Sequence, residues 1–468
     1  MPWSRPRHTE RRRLSRPTPA WASGLYSAAW ALVLPAVLAK MWWRGRLEPA
    51  YRRGWAQRLG QWNPADAADR RTPQSAPRVW LHAVSLGETR AAQPLVESLR
   101  QALPGMQLLL TTGTATGWDA GQDMLRPGDL QGWAPFDTAT APRRFFALMR
   151  PDVGILMETE TWPNLVREAV VAQVPMVLAN ARLSERSLLK GLRWPALTRP
   201  MMASLAGVLA QTPDDAERLV LAGVRPDRVQ VMGNLKFDLQ PSVAQLEQGQ
   251  HWAGVAKAAQ RRVVLAASWR EGEDQDLLRA WLGQRQGRRH EADSSNLTPL
   301  LMVVPRHPQR FDEVHAALLA AGLSVSRRSS WPAQGPTAQD ARADVWLGDS
   351  IGEMAAYYAA ADVALLGGSY ARLGGQNLIE AAACNCPVIA GPYTFNFQEA
   401  ADRAIEEGAA RRASDLQQAV ALALALRPAE LEMHRAAAHA FCGRHAGAAD
   451  RQSQAVVALL RSVAQKGR

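Results

Sequence analysis

Short apolar runs alternate with helical stretches along most of the chain, and this alternation restricts the fold more than any other feature. The first series of runs is Val79 to Ala83, Met106 to Thr111, Val153 to Met157, Pro175 to Ala179, Leu205 to Ala210 and Val229 to Met232. A second series is Arg262 to Ala267, Pro299 to Val304, Val345 to Leu347, Val363 to Leu366 and Pro387 to Ala390. Runs of this length without alternating polarity suit strands buried on both faces. Polar turns and helical patterns follow them, so the expected class is α/β, with open parallel sheets covered by helices. At 468 residues the chain exceeds a single core. Two α/β domains of similar size are therefore expected, with the polar stretch 241–260 as a link. Ligands of such sheets sit at the carboxyl ends of strands near the switch point, and a cleft between two sheets is the expected site.

The N-terminus has a different character. Residues 1–20 carry an arginine-rich, proline-rich sequence expected to be disordered. From Pro17 to Ala39 no side chain is charged, about the length of a bilayer core. Trp21, Tyr26, Trp42 and Trp43 near the ends fit an interfacial aromatic belt. A membrane anchor over 21–43 is the favoured reading. A cleaved signal and an interfacial or buried helix stand beside it, because Pro35 interrupts the stretch. Basic residues flank both ends, so charge gives no orientation. The net charge is +12, but no nucleic-acid module is visible and no nucleic-acid partner is expected. Three cysteines, Cys384, Cys386 and Cys442, form neither a zinc pattern nor a disulfide framework, and no metal centre is readable.

Polar residues recur just after the strands. The stretch from Leu365 to Ala383 passes through Gly367-Gly368 and Gly374-Gly375 into a helix that Asn377 can cap, with Glu380 three residues on. Glycines at a strand end admit a ligand close to the backbone, and a helix start favours an anion, although a structural turn reads equally from this stretch alone. Glu88, after Gly87, is placed to act as a general base or simply to complement a helix N-terminus. Glu158 and Glu160 form an acid pair that can divide into charged and proton-bearing members, or remain loop acids. Lys236 and Arg306 offer cations to a phosphate, or are surface and salt-bridged residues.

Together these residues are recognisable. His82-Ala83-Val84-Ser85-Leu86-Gly87-Glu88, Met157 to Asn164, Ala179 to Ser184, Gly233 to Asp238, Val304 to Pro308 and Gly374 to Ala382 closely resemble the Kdo (3-deoxy-D-manno-octulosonic acid) transferases of lipopolysaccharide synthesis. The resemblance runs from about residue 24 to the C-terminus, and the ordered set of motifs is far more specific than any one of them. It implies a GT-B glycosyltransferase, with two Rossmann-like, doubly wound domains facing a cleft and an N-terminal membrane-anchor helix. An acceptor domain over 44–240, a CMP-sugar donor domain over 261–427 and helices over 428–468 crossing back to the first domain follow from it.

The resemblance also implies an inverting transfer from CMP-Kdo to the lipid A precursor lipid IVA, without cofactor or metal, at the inner membrane with the catalytic domains on the cytoplasmic side. Glu88 matches the family's general base, and Glu158 and Lys236 match residues that assist the transition state. Arg306, His307, Gly352, Glu353, Met354, Asn377, Leu378, Ile379 and Glu380 match the CMP contacts. Leu86, Thr161, Gln376 and Leu378 depart from the residues frequent in the family, and none of these departures removes a charged role. No residue indicates how many Kdo units are added.

Overall fold

In the computed structural model of the protein, residues 18–46, 48–63, 76–288 and 297–466 are described. Residues 1–17, most of the expected disordered extension, lie outside them. The chain forms two compact units, 1–238 with 446–468, and 239–445.

The first unit is built on a seven-stranded sheet: β1 (Arg78–His82), β2 (Gln107–Thr112), β3 (Leu130–Trp133), β4 (Val153–Met157), β5 (Met176–Ala181), β6 (Gly207–Ala210) and β7 (Val229–Val231). The order is β3-β2-β1-β4-β5-β6-β7, and every pairing is parallel. β1 and β4 are buried over their whole length, as strands covered on both faces must be. The chain winds outward from β1 to β3 and then returns to β4 on the other side. The switch point therefore lies between β1 and β4. Trp80 on β1 fills one face of the sheet, against Phe145 and Phe146 at 4.9 and 5.4 Å.

The second unit repeats the plan with β8 (Arg261–Trp269), β9 (Thr298–Pro305), β10 (Val325–Arg327), β11 (Val345–Leu347), β12 (Val363–Leu366), β13 (Val388–Ala390) and β14 (Ala410–Arg412). The order is β10-β11-β9-β8-β12-β13-β14, again all parallel. Its switch point lies between β8 and β12.

Residues 241–260, expected as a link, contain the helix Val243–Ala258 of the second unit. Its composition is polar, but Trp252 is fully buried, 5.2 Å from Trp331 and 5.5 Å from Tyr357. With Gly249 and Ala256 also buried, this aromatic fastens the helix to the unit. Of the C-terminal helices, Pro428–His445 belongs to the second unit and Ala448–Lys466 to the first. The last helix packs on the helix Leu86–Ala102. Asp238 caps its start by accepting from the amides of Gly447 and Ala449.

At the other terminus, Ala20–Arg44 forms a single helix. It is long and apolar enough to cross a membrane by length and composition, with a mean hydropathy of 1.6.

Candidate active site

In each unit the polar residues singled out from sequence lie in the turns that follow the strands. In the first, β1 runs into Ser85, which caps the helix Leu86–Ala102 by accepting from the Glu88 amide at 3.3 Å. Glu88 answers by accepting from the amides of Val84 (2.6 Å) and Ser85 (3.1 Å). Both bonds fall on Oε2. Oε2 is thus fixed by the backbone, and Oε1 is left without a protein donor among the described residues. Burial raises the Glu88 carboxyl to about 7, aided by the nearby charges of Glu160 and Glu158 and opposed by the two amides.

The turn after β4 supplies the other acids. Glu158 adopts φ +53°, a left-handed conformation that costs a non-glycine residue energy and turns its side chain out of the strand direction. It is buried, and it pairs with Lys236 Nζ at 2.9 Å and Arg182 Nε at 3.0 Å. Glu160 accepts from the Trp162 indole at 3.0 Å, and burial holds its carboxyl above the usual range. The two acids of the pair therefore differ in surroundings: Glu158 is paired with Lys236 and Arg182, while Glu160 is held by an indole donor.

Lys236 stands on a 3-10 turn, Leu235–Asp238, which is held from below. Asn180 Oδ1 accepts from the Leu235 amide at 3.0 Å, and Asn180 itself adopts φ +49°. Gln452, on the last helix, accepts from the Asn180 amide at 2.9 Å and donates to the Gly233 carbonyl at 3.1 Å. Asn180 lies inside a motif visible in sequence. Gln452 carries no local signal, since it reaches the site from 272 residues away.

In the second unit the glycine-rich turn after β12 is tied down by Glu273, a residue that sequence reasoning passed over. Its carboxylate is 1% exposed and accepts from the amides of Gly368 (2.8 Å), Tyr370 (3.0 Å) and Ala371 (3.1 Å). Gly367 is required by close approach, because a β-carbon there would sit 2.5 Å from the Ser268 carbonyl oxygen. Arg306 and His307 are exposed after β9. Arg306 is fixed through its amide to the Trp269 carbonyl at 2.9 Å. The His307 imidazole is held below its usual pKa, first by burial and then by the charge of Arg270. Arg270 is a further cation here, paired with Glu271 at 2.5 Å.

The Gly352 to Met354 segment has Gly352 at φ +84°. Glu353 is engaged by Arg328 (2.9 and 3.1 Å) and by Ser350. Its carboxylate thus braces the loop. Asn377 caps the short helix Leu378–Ala383 by accepting from the Ile379 amide at 3.2 Å. Leu378 and Ile379 point into the core, while Glu380 is half-buried. Among the described residues no three His, Cys, Asp or Glu side chains gather as metal ligands would.

Residues 53–239 match a family model described as 3-deoxy-D-manno-octulosonic-acid transferase (kdotransferase). The 3-deoxy-D-manno-octulosonic acid transferase of Bordetella pertussis is 46% identical over 448 residues, 92% of this chain and 98% of that one. The chain belongs to the Kdo transferase family. The Haemophilus influenzae Kdo transferase is 32% identical, covering 80% of this chain and 83% of its own. Anabaena HepE in complex with UDP-glucose is 14% identical, with a TM-score of 0.53 over 82% of this chain and 99% of that one, and shares the fold. This Kdo transferase is accordingly a glycosyltransferase of GT-B type, with two Rossmann-like units.

Proposed function

We propose that the protein transfers Kdo from CMP-Kdo to lipid IVA in lipopolysaccharide synthesis, with inversion at the anomeric carbon. The observation that carries this reading is the 46% identity to a Kdo transferase over 92% of the chain, together with Glu88, whose carboxylate takes its two backbone amides on Oε2 alone and is raised by burial to about 7. Such a value lets a carboxylate accept a proton effectively during reaction. The acceptor hydroxyl attacks the anomeric carbon and passes its proton to Glu88 Oε1. The bond from that carbon to the CMP phosphate oxygen breaks, and CMP leaves as an anion. Glu158 and Lys236, paired at 2.9 Å, assist as charge develops in the transition state.

The second unit takes the donor. Arg306 and His307 meet the phosphate, and Gly352, Glu353 and Met354 line the nucleotide. Asn377, Leu378 and Ile379 contribute backbone groups, and Glu380 accepts from the ribose hydroxyls. Neither cofactor nor metal is assigned a role. The reaction takes place on the cytoplasmic side of the inner membrane, where a nucleotide-activated sugar meets a lipid acceptor.

The test is incubation of the purified protein with lipid IVA and CMP-Kdo, with products read by mass spectrometry. A mass increase of one or more Kdo units is expected, and the number of units follows from the same spectrum. Turnover with UDP-sugars and none with CMP-Kdo would overturn the reading.

A further inference from the structure

The N-terminal helix touches the first unit near both of its ends. Near its start, the Tyr26 hydroxyl donates to Asp137 at 2.7 Å and itself accepts from the Trp30 indole at 2.9 Å. Ser27 Oγ donates to Asn164 Oδ1 at 3.3 Å. Asp137 is a buried residue of the unit, and its carboxylate also accepts from the amides of Asn164 and Leu165.

Beyond the helix the chain folds straight back. Arg52 Nε donates to the Trp42 carbonyl at 3.3 Å, and Arg44 lies over the Tyr51 ring at 4.3 Å. Arg58 then lies 4.1 Å from the Trp133 ring and 5.9 Å from Phe136. Trp30 packs on the same Phe136, with ring centroids 6.2 Å apart. One residue of the unit thus meets the helix before its midpoint and the chain that follows it.

A helix crossing a bilayer separates its two ends by a hydrocarbon core of roughly 30 Å. The part free of the Tyr26 to Trp30 contacts, Ala31 to Arg44, reaches only about 21 Å at 1.5 Å per residue. Crossing would also place Asp137 and Phe136 on opposite sides, although they are neighbours in one unit. We propose that the helix Ala20–Arg44 does not span the membrane and lies instead in the plane of one leaflet of an anionic phospholipid bilayer.

The helix surface fits this placement. Ala22 is buried and Tyr26, Trp30, Leu34 and Met41 are half-buried at helical spacing, and the helix touches the helices Pro163–Val171 and Pro195–Ala203. Trp21, Leu25, Leu32, Val33, Trp42 and Trp43 are exposed. An apolar helix with one face on protein needs lipid for the other. Cations border it: Lys40, Arg44 and Arg46 are exposed, and Arg46 stacks on Trp43 at 4.5 Å. The two helices it packs on begin beside exposed Trp162 and Trp194, the latter following exposed Lys190 and Arg193. This combination of aromatic and cationic surface matches an anionic interface.

The inference concerns how the chain meets lipid and is read independently of the transfer assay. In a Cys442→Ser background, Thr18→Cys and Arg53→Cys bracket the helix in the full-length protein. A membrane-impermeant maleimide applied to sealed inverted membrane vesicles is expected to label both before detergent is added. Labelling of Thr18→Cys only after detergent would mean a span and overturn the proposal.

Flotation with liposomes is the second measurement. Leu32 is 82% exposed, so Leu32→Glu spares the packing. It is expected to lower binding to phosphatidylglycerol-containing vesicles by at least about tenfold, from burial of an apolar side chain lost and a charge gained. Undiminished flotation of this variant, or no flotation of the unaltered protein, would overturn the docking face.

Discussion

In the proposed reaction Glu88 serves structure and chemistry with different oxygens of one carboxylate. Glu88→Gln keeps the shape of the cap and removes the base, so transfer should fall by about a hundredfold or more in a product assay while CMP binding persists. Because the base must be ionised, kcat/KM of the unaltered enzyme should fall as the pH drops below about 7. Stability runs the other way. A carboxyl raised from its ordinary value of 4.5 to about 7 destabilises the fold once ionised. That cost is absent below the lower value and complete above the higher one. The Tm of Glu88→Gln, relative to the parent, should therefore rise between those two pH values. Lys236→Met tests the neighbouring pair. It leaves Glu158 with Arg182, and should lower kcat far more than it raises the KM for the donor.

At the scale of elements, Glu273 governs the glycine-rich turn without facing the open site. Glu273→Ala strands three amides that now share one carboxylate, a loss of about 3 kcal/mol or more in stability from buried donors left unpaired. Calorimetric titration with CMP should show weakened binding, because the turn it shapes borders Arg270 and Gln376. Sequence motifs located the turns well, since glycines and charged residues at strand ends are locally unusual. They did not reveal Glu273, whose partners are backbone amides almost 100 residues away.

Strands were legible where both faces are buried. β3, β10 and β14 escaped notice, and each is a sheet edge. Their sequences, Leu130-Gln131-Gly132-Trp133, Val325-Ser326-Arg327 and Ala410-Arg411-Arg412, carry the polar and small residues an edge tolerates. The apolar pattern that marks a central strand is absent there for a physical reason. The buried Trp252 similarly gave no periodic signal that its helix belongs to the second unit.

At the scale of the whole molecule, the first unit is assembled from both ends of the chain. Val456 and Val457 of the last helix lie in the same core cluster as Leu81 and Ile155 of the central strands. Removing residues 446–468 opens that core and releases Gln452 from Asn180. The expected result is loss of the first unit's cooperative unfolding transition, while the second unit, continuous from 239 to 445, keeps its own. Denaturant unfolding followed by tryptophan fluorescence and limited proteolysis checks this.

The same arrangement has a meaning during synthesis. A ribosome releases the second unit as an uninterrupted stretch, so that unit can close while translation continues. The first unit, although its strands emerge earlier, stays incomplete until the last helix leaves the exit tunnel. A prematurely ended chain would therefore carry an unfinished first unit and a finished second one, and cellular proteases would have a clear mark by which to tell truncated products from whole ones.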